Sequence, residues 1–149
     1  MLNEKVVALL NDQVNKELYS AYLYLDFSNF YSAKGLDGFA NWYRVQAQEE
    51  RDHALLMYDY MHNNGETVAL KEIAAPDVKL DGLMDPLKEG LKHEEYVTSL
   101  IYNIYAAAKD VNDFRTMQFL DWFVKEQGEE ETNADGLKKE RNQWLLLRN

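Results

Sequence analysis

The placement of its helix breakers constrains this chain more than any other sequence feature. Gly35, Gly65, Pro76 and Pro86 separate long stretches rich in helix formers, and strand signals are absent throughout. Four long helical segments follow. The first runs from about Asn3 to Ala33 and stops at Gly35. The second begins near Asp37 and runs to Asn63-Asn64-Gly65, a left-handed stop. A third starts near Asp81 or Asp85, either of which suits a cap, with Pro86 tolerated in the first turn, and ends around Lys109. Asn112 or Asp113 caps a fourth that reaches about Lys139. Short turns make the first pair and the second pair of helices antiparallel hairpins, whereas Glu66 to Leu80 is too long for a turn. A helix of ~28 residues spans ~42 Å, and ~15 extended residues reach ~50 Å, so this connection can cross the whole length of a bundle. The expected fold is therefore all-α: a four-helix bundle with one long crossover between the second and third helices, which then run parallel.

The 149 residues suit one domain, taken as 1–149, and 46% hydrophobic residues suffice for its core. A formal charge of -10 repels the phosphate backbone, which disfavours a nucleic-acid partner, and none is expected. No apolar run approaches the ~20 residues that span a bilayer, so no membrane association is expected. The N-terminus, Met1 to Val7, lacks the basic and apolar regions of a secretory signal, and there is no cysteine for disulfides or thiolate ligands. A cytoplasmic location is expected.

Residues alternating three and four apart mark the face each helix turns to the core. The stripes read Val7, Leu10, Val14, Glu17, Ala21, Tyr24 and Ser28; then Phe39, Tyr43, Gln46, Glu50, His53, Met57 and Tyr60. The third gives Leu87, Gly90, Glu94, Val97, Ile101 and Ile104, and the fourth Thr116, Leu120, Phe123, Gln127, Glu130, Ala134 and Leu137. A single Glu on such a stripe more often means a misjudged register than a ligand. Here all four stripes are interrupted at mid-height. Glu17, Glu50, Glu94 and Glu130 packed together without counter-charge would each cost several kcal/mol, untenable against a domain stability of ~5 to 15 kcal/mol. Lys16 and Arg51 lie one residue off the stripe. Two divalent ions would neutralise the four carboxylates. A set rich in oxygen with one imidazole, His53, disfavours structural zinc and suits iron or manganese, with Gln127 adding a neutral oxygen or a donor.

Three stretches carry a family resemblance: Asn15 to Tyr24, Ala47 to Ala54 with its Glu50-x-x-His53, and Trp122 to Glu131. Together they resemble the bacterial non-haem ferritins. The resemblance implies a ferroxidase centre in which Glu17, Glu50 and His53 bind the first iron, Glu50 bridges, and Glu94 and Glu130 bind the second with Gln127 nearby. Tyr24 matches the family's tyrosine beside the centre. Glu49, Glu126, Glu129 and Glu130 match the residues gathered around a third iron position; read from the sequence alone they are a solvated charge run. Bacterioferritin carries a second Glu-x-x-His and a haem-ligating Met after the bridging Glu. Here those positions are Gln127-x-x-Glu130 and Arg51, so haem is not expected. Rubrerythrin-like peroxidases differ in the same second motif. Family members usually end in a short fifth helix lining a fourfold channel of a 24-subunit shell; after Lys139 too few residues remain for one, so it is absent or vestigial.

His62, at a helix end, and His93, beside Glu94 but off its stripe, are excluded from the site. Most of the ten Tyr and three Trp are assigned to packing. The expected function is an iron-storage ferritin: a ferroxidase that oxidises Fe(II) with O2 or peroxide and stores the ferric mineral inside a homo-oligomeric shell, expected as a 24-mer. The alternatives are a diiron peroxide scavenger without storage, and a helical interaction module with a structural cation. Trp144 to Leu147 is expected to pack against its own bundle or a neighbouring copy.

Overall fold

The computed structural model describes the backbone of residues 1–148 and the side chains through Arg141. It contains four helices: α1 (Glu4–Ala33), α2 (Asp37–Asn63), α3 (Asp85–Asp110) and α4 (Phe114–Arg148), and no strand among the described residues. No helix among them is long and apolar enough to cross a membrane. Two compact units divide the chain, one from Met1 to Asp77 and the other from Val78 onward.

In the first unit α1 and α2 form a hairpin, started by Asn3, whose Oδ1 accepts from the Lys5 amide at 2.9 Å. Both helices stop in the same way. Gly35 (φ 72°) and Gly65 (φ 79°) take the left-handed conformation, and the next residue's amide closes back onto the helix: Leu36 N–H to the Tyr31 carbonyl and Glu66 N–H to the Met61 carbonyl, each 2.9 Å. A side chain with a Cβ is strained at that φ, which explains glycine at both stops. The core comprises Val6, Leu10, Val14, Leu23, Tyr24, Phe27, Tyr31, Ala40, Tyr43, Ala54, Met57, Tyr60 and Met61. Val6 rather than Val7, and Ser20 rather than Ala21, are buried, and Phe39 is only half-buried. An idealised stripe drifts from the true 3.6-residue turn over a helix this long. After α2 the chain is irregular but tied to α1. Asn11 Oδ1 accepts from the Ala69 amide at 2.7 Å, Asn15 Oδ1 from the Lys71 amide at 2.8 Å, and Asn15 Nδ2 donates to the Ala69 carbonyl at 3.0 Å.

In the second unit α3 starts at Asp85 with Pro86 in the first turn, but neither Asp81 nor Asp85 caps it; Met84 holds the cap position. The Asp85 carboxylate instead turns back and accepts from the amides of Asp81 (2.9 Å) and Gly82 (2.8 Å), which holds its pKa below the usual value. Asn112 and Asp113 divide the work of the next junction. Asn112 takes the left-handed position (φ 53°) that ends α3, and Asp113 caps α4 by accepting from the Thr116 amide at 3.0 Å. Leu87, Val97, Ile101, Ile104, Ala107, Ala108, Leu120 and Phe123 are the buried apolar residues here. α4 does not end near Lys139 but runs on to Arg148, because no breaker follows Gly136. Arg141 is fully buried. The side chains of Trp144 to Leu147 lie outside the described residues.

Candidate metal centre

Helical spacing builds the first half of the site. Glu50 and His53, one turn apart on α2, are 1% and 4% exposed, and Glu17 on α1 is 1% exposed. One potential ligand atom from each of the three lies within 4.8 Å of the others. His53 Nδ1 is 3.3 Å from Glu50 Oε2. Gln13, one turn before Glu17 and also buried, donates from Nε2 to Glu17 Oε1 at 3.0 Å. Among the described residues no donor reaches Glu17 Oε2, and the Oε1 of buried Gln46, one turn before Glu50, is likewise unmatched. Burial, and then the Glu50 carboxylate beside it, push the Glu17 pKa well above 4.5; His53 and the Gln13 hydrogen bond pull weakly the other way. Such a pocket holds its charge only at a cost that a cation removes. Two carboxylates and an imidazole form a donor set suited to a divalent transition-metal ion.

The second unit arranges its half differently. Glu94 on α3 and Gln127 and Glu130 on α4 are all buried. The two hydrogens of Gln127 Nε2 are shared among three acceptors in reach, Glu94 Oε2 at 3.1 Å, the Glu94 carbonyl at 3.2 Å and Thr98 Oγ1 at 3.2 Å. Thr98, one turn after Glu94, donates in turn to Glu131 Oε2 at 2.9 Å. Glu17 and Glu94 therefore each accept one side-chain amide, from Gln13 and Gln127, and the Gln127 amide is itself met by Thr98.

Around these sets lie the remaining candidates. Tyr24, two turns beyond Glu17, is 2% exposed and held between Phe27 and Tyr43, each ring centroid 5.7 Å away. Glu49 and Glu126 are half-buried and Glu129 is exposed. His62 is exposed, its ring tilted against that of Tyr58 with centroids 4.6 Å apart. Burial lowers the His93 pKa to about 4, so its imidazole is neutral near pH 7. The sequence reasoning passed over Gln13, Thr98 and Glu131. Gln13 stands one turn before Glu17 and Thr98 one turn after Glu94, a spacing that could have flagged both.

Residues 7–141 match the family described as Ferritin-like domain. The bacterial non-heme ferritin of Staphylococcus epidermidis is 39% identical over 135 residues, covering 91% of this chain and 81% of that protein. The Staphylococcus aureus bacterial non-heme ferritin is 33% identical over 132 residues, covering 89% and 80%. Among solved structures, the open pore ferritin of the hyperthermophilic archaeon Archaeoglobus fulgidus superposes with a TM-score of 0.90 at 40% identity, covering 93% of this chain and 85% of that one. The Chlorobium tepidum ferritin superposes with a TM-score of 0.92 at 32% identity, covering 95% and 87%. At these likenesses the fold is the all-α four-helix bundle of those structures.

Proposed function

The chain belongs to the ferritin family, and on that premise we propose that it is an iron-storage protein with ferroxidase activity. In this reading Glu17, Glu50 and His53 bind one Fe(II), Glu94 and Glu130 bind a second with Gln127 alongside, and Glu50 bridges the two substrate ions. The observation that carries the reading is the buried Glu17, Glu50 and His53 cluster with its raised carboxyl pKa. Hard anionic oxygens stabilise Fe(III) over Fe(II), which favours loss of an electron. Each of two Fe(II) ions gives up one electron, and the oxidant, O2 or peroxide, takes up the pair. Because burial raises the Glu17 pKa, protons compete with Fe(II) for this carboxylate, and ion binding favours its ionised form.

Tyr24, fixed among aromatic rings, stands beside the centre in the same reading, and Glu49, Glu126 and Glu129 with Glu130 serve a third iron position. Storage requires a closed homo-oligomer, proposed as a 24-subunit shell in the cytoplasm. Exposed Tyr22, Leu25, Val45, Leu55 and Leu56 on α1 and α2 support burial between copies, since a lone chain would leave that apolar surface in water. No haem is part of the proposal.

Stepwise anaerobic Fe(II) addition followed by air, watched by absorbance and by particle size, tests site, reaction and storage together. Two Fe(II) per chain oxidised in a fast phase, followed by slower mineral growth inside particles of constant size, is the expected result. Fast turnover of peroxide without mineral would favour a scavenger. A melting temperature indifferent to metal, with no O2 chemistry, would favour a helical interaction module. Native mass spectrometry near neutral pH tests the shell, and stable monomers or dimers at micromolar concentration would count against storage.

A further inference from the structure

Thr98 occupies the centre of the α3 and α4 network without being a candidate ligand, and its hydrogen accounting is restrictive. Its Oγ1 lies 3.0 Å from the Glu94 carbonyl, 2.9 Å from Glu131 Oε2 and 3.2 Å from Gln127 Nε2. A hydroxyl has one hydrogen. The carbonyl and the carboxylate only accept, so that hydrogen goes to one of them and Thr98 shows Gln127 a lone pair. The Gln127 group that faces Thr98 must then be its NH2. The same NH2 faces Glu94 Oε2 and the Glu94 carbonyl, which also only accept. All three neighbours therefore dictate one amide orientation: nitrogen toward α3, with the amide oxygen on the opposite side of the group. Glu131, half-buried one position past Glu130, draws the Thr98 hydrogen away from the Glu94 carbonyl and leaves that carbonyl to Gln127.

We propose that Thr98 and Glu131 are positioning residues that hold Gln127 and, through it, Glu94, and so set the affinity of the metal ion that α3 and α4 bind. The inference rests on the two-ion reading given above. It assigns work to a threonine and a glutamate that bind no ion themselves. Outer partners of this kind change metal affinity by about 10- to 100-fold when removed.

The test uses Co(II) as the probe, titrated into the metal-free protein and read by its visible spectrum, together with crystal structures of metal-free unaltered protein and Thr98→Val. Valine keeps the shape and removes the hydroxyl. The expected result is two Co(II) per chain in the unaltered protein, one of them bound about tenfold or more weakly in Thr98→Val and the other unchanged, with the Gln127 amide displaced in the crystal. Thr98→Ser should restore both ions and the amide, and Glu131→Ala should weaken the same ion less than Thr98→Val does. Helicity by circular dichroism checks folding. Unchanged affinity for both ions in Thr98→Val, or a Gln127 amide that keeps its place there, would overturn the proposal. Absence of Co(II) binding by the unaltered protein would overturn the two-ion reading instead, and the crystal structures alone would then decide whether Thr98 holds Gln127.

Discussion

The α1/α2 and α3/α4 halves place carboxylates in equally dry surroundings and give Glu17 and Glu94 one side-chain amide each, but differ in what stands beside that pairing. On α1 and α2, Glu17 and Glu50 are crowded together, one amide donor reaches Glu17, and the Glu17 pKa is driven up. On α3, Glu94 receives the Gln127 amide, and that amide is itself fixed by Thr98 and Glu131. Buried carboxylates can be left short of partners, which stores a demand for a cation, or supplied with donors, which fixes their geometry before one arrives. The first arrangement favours strong binding; the second favours an exact ligand position.

The sharpest way to break the comparison is to remove ligands from the crowded half. Glu50→Ala or His53→Ala should abolish the fast phase of Fe(II) oxidation in stopped-flow absorbance while helicity is retained. A fast phase that survives in both variants would remove the α1/α2 half from the chemistry. The next effect is on stability. A carboxyl whose folded pKa lies above its unfolded value favours the folded state below the unfolded value, and that contribution is lost as pH rises through the folded value. For Glu17 the metal-free protein should therefore become more stable as pH falls through the raised folded value toward the ordinary carboxyl range, before other groups intervene. Glu17→Gln should raise the metal-free melting temperature at pH 8 and flatten this dependence, by roughly 2–4 °C for each kcal/mol recovered. Added Mn(II) should stabilise the unaltered protein more at pH 7 than at pH 5, since protons compete for the same oxygen. Smaller again is Gln13→Leu. Losing its one amide donor, Glu17 should hold its proton more tightly, and calorimetry should show about tenfold weaker metal binding. The smallest effect on the fast phase is expected for Glu49→Ala, Glu126→Ala and Glu129→Ala, which should change the amount of iron oxidised or the later turnovers. If any of them removed all oxidation, the division between paired site and auxiliary acids would be wrong.

The sequence showed the elements well and their supports poorly, for physical reasons. Gly35 and Gly65 announced two helix stops because left-handed φ strongly restricts residue choice. Asn112 and Asp113 could each have capped α4, and only their backbone conformations separate them. The Glu17, Glu50 and His53 cluster was legible because burying ionisable groups is costly enough to stand out from background. Gln13 and Thr98 were not, since an amide or hydroxyl on a helix finds partners locally at small cost, and such residues occur wherever helices pack. The end of α4 was misjudged because a helix without a breaker has no local reason to stop at Lys139, and it continues to Arg148. Arg141 is fully buried, a placement set by tertiary structure that hydropathy cannot register.

The two asparagines that grip the chain after α2 also carry a timing consequence. The amide hydrogens of Ala69 and Lys71 are held by side-chain oxygens of Asn11 and Asn15, on successive turns of α1, rather than by backbone neighbours. Their exchange with solvent deuterium therefore requires α1 and this irregular segment to part, so two amides in an otherwise non-helical stretch act as clocks for that separation. Slow exchange at both positions, lost together in Asn15→Ala, would mean that the start of the long connection opens as one unit with the helix it lies against.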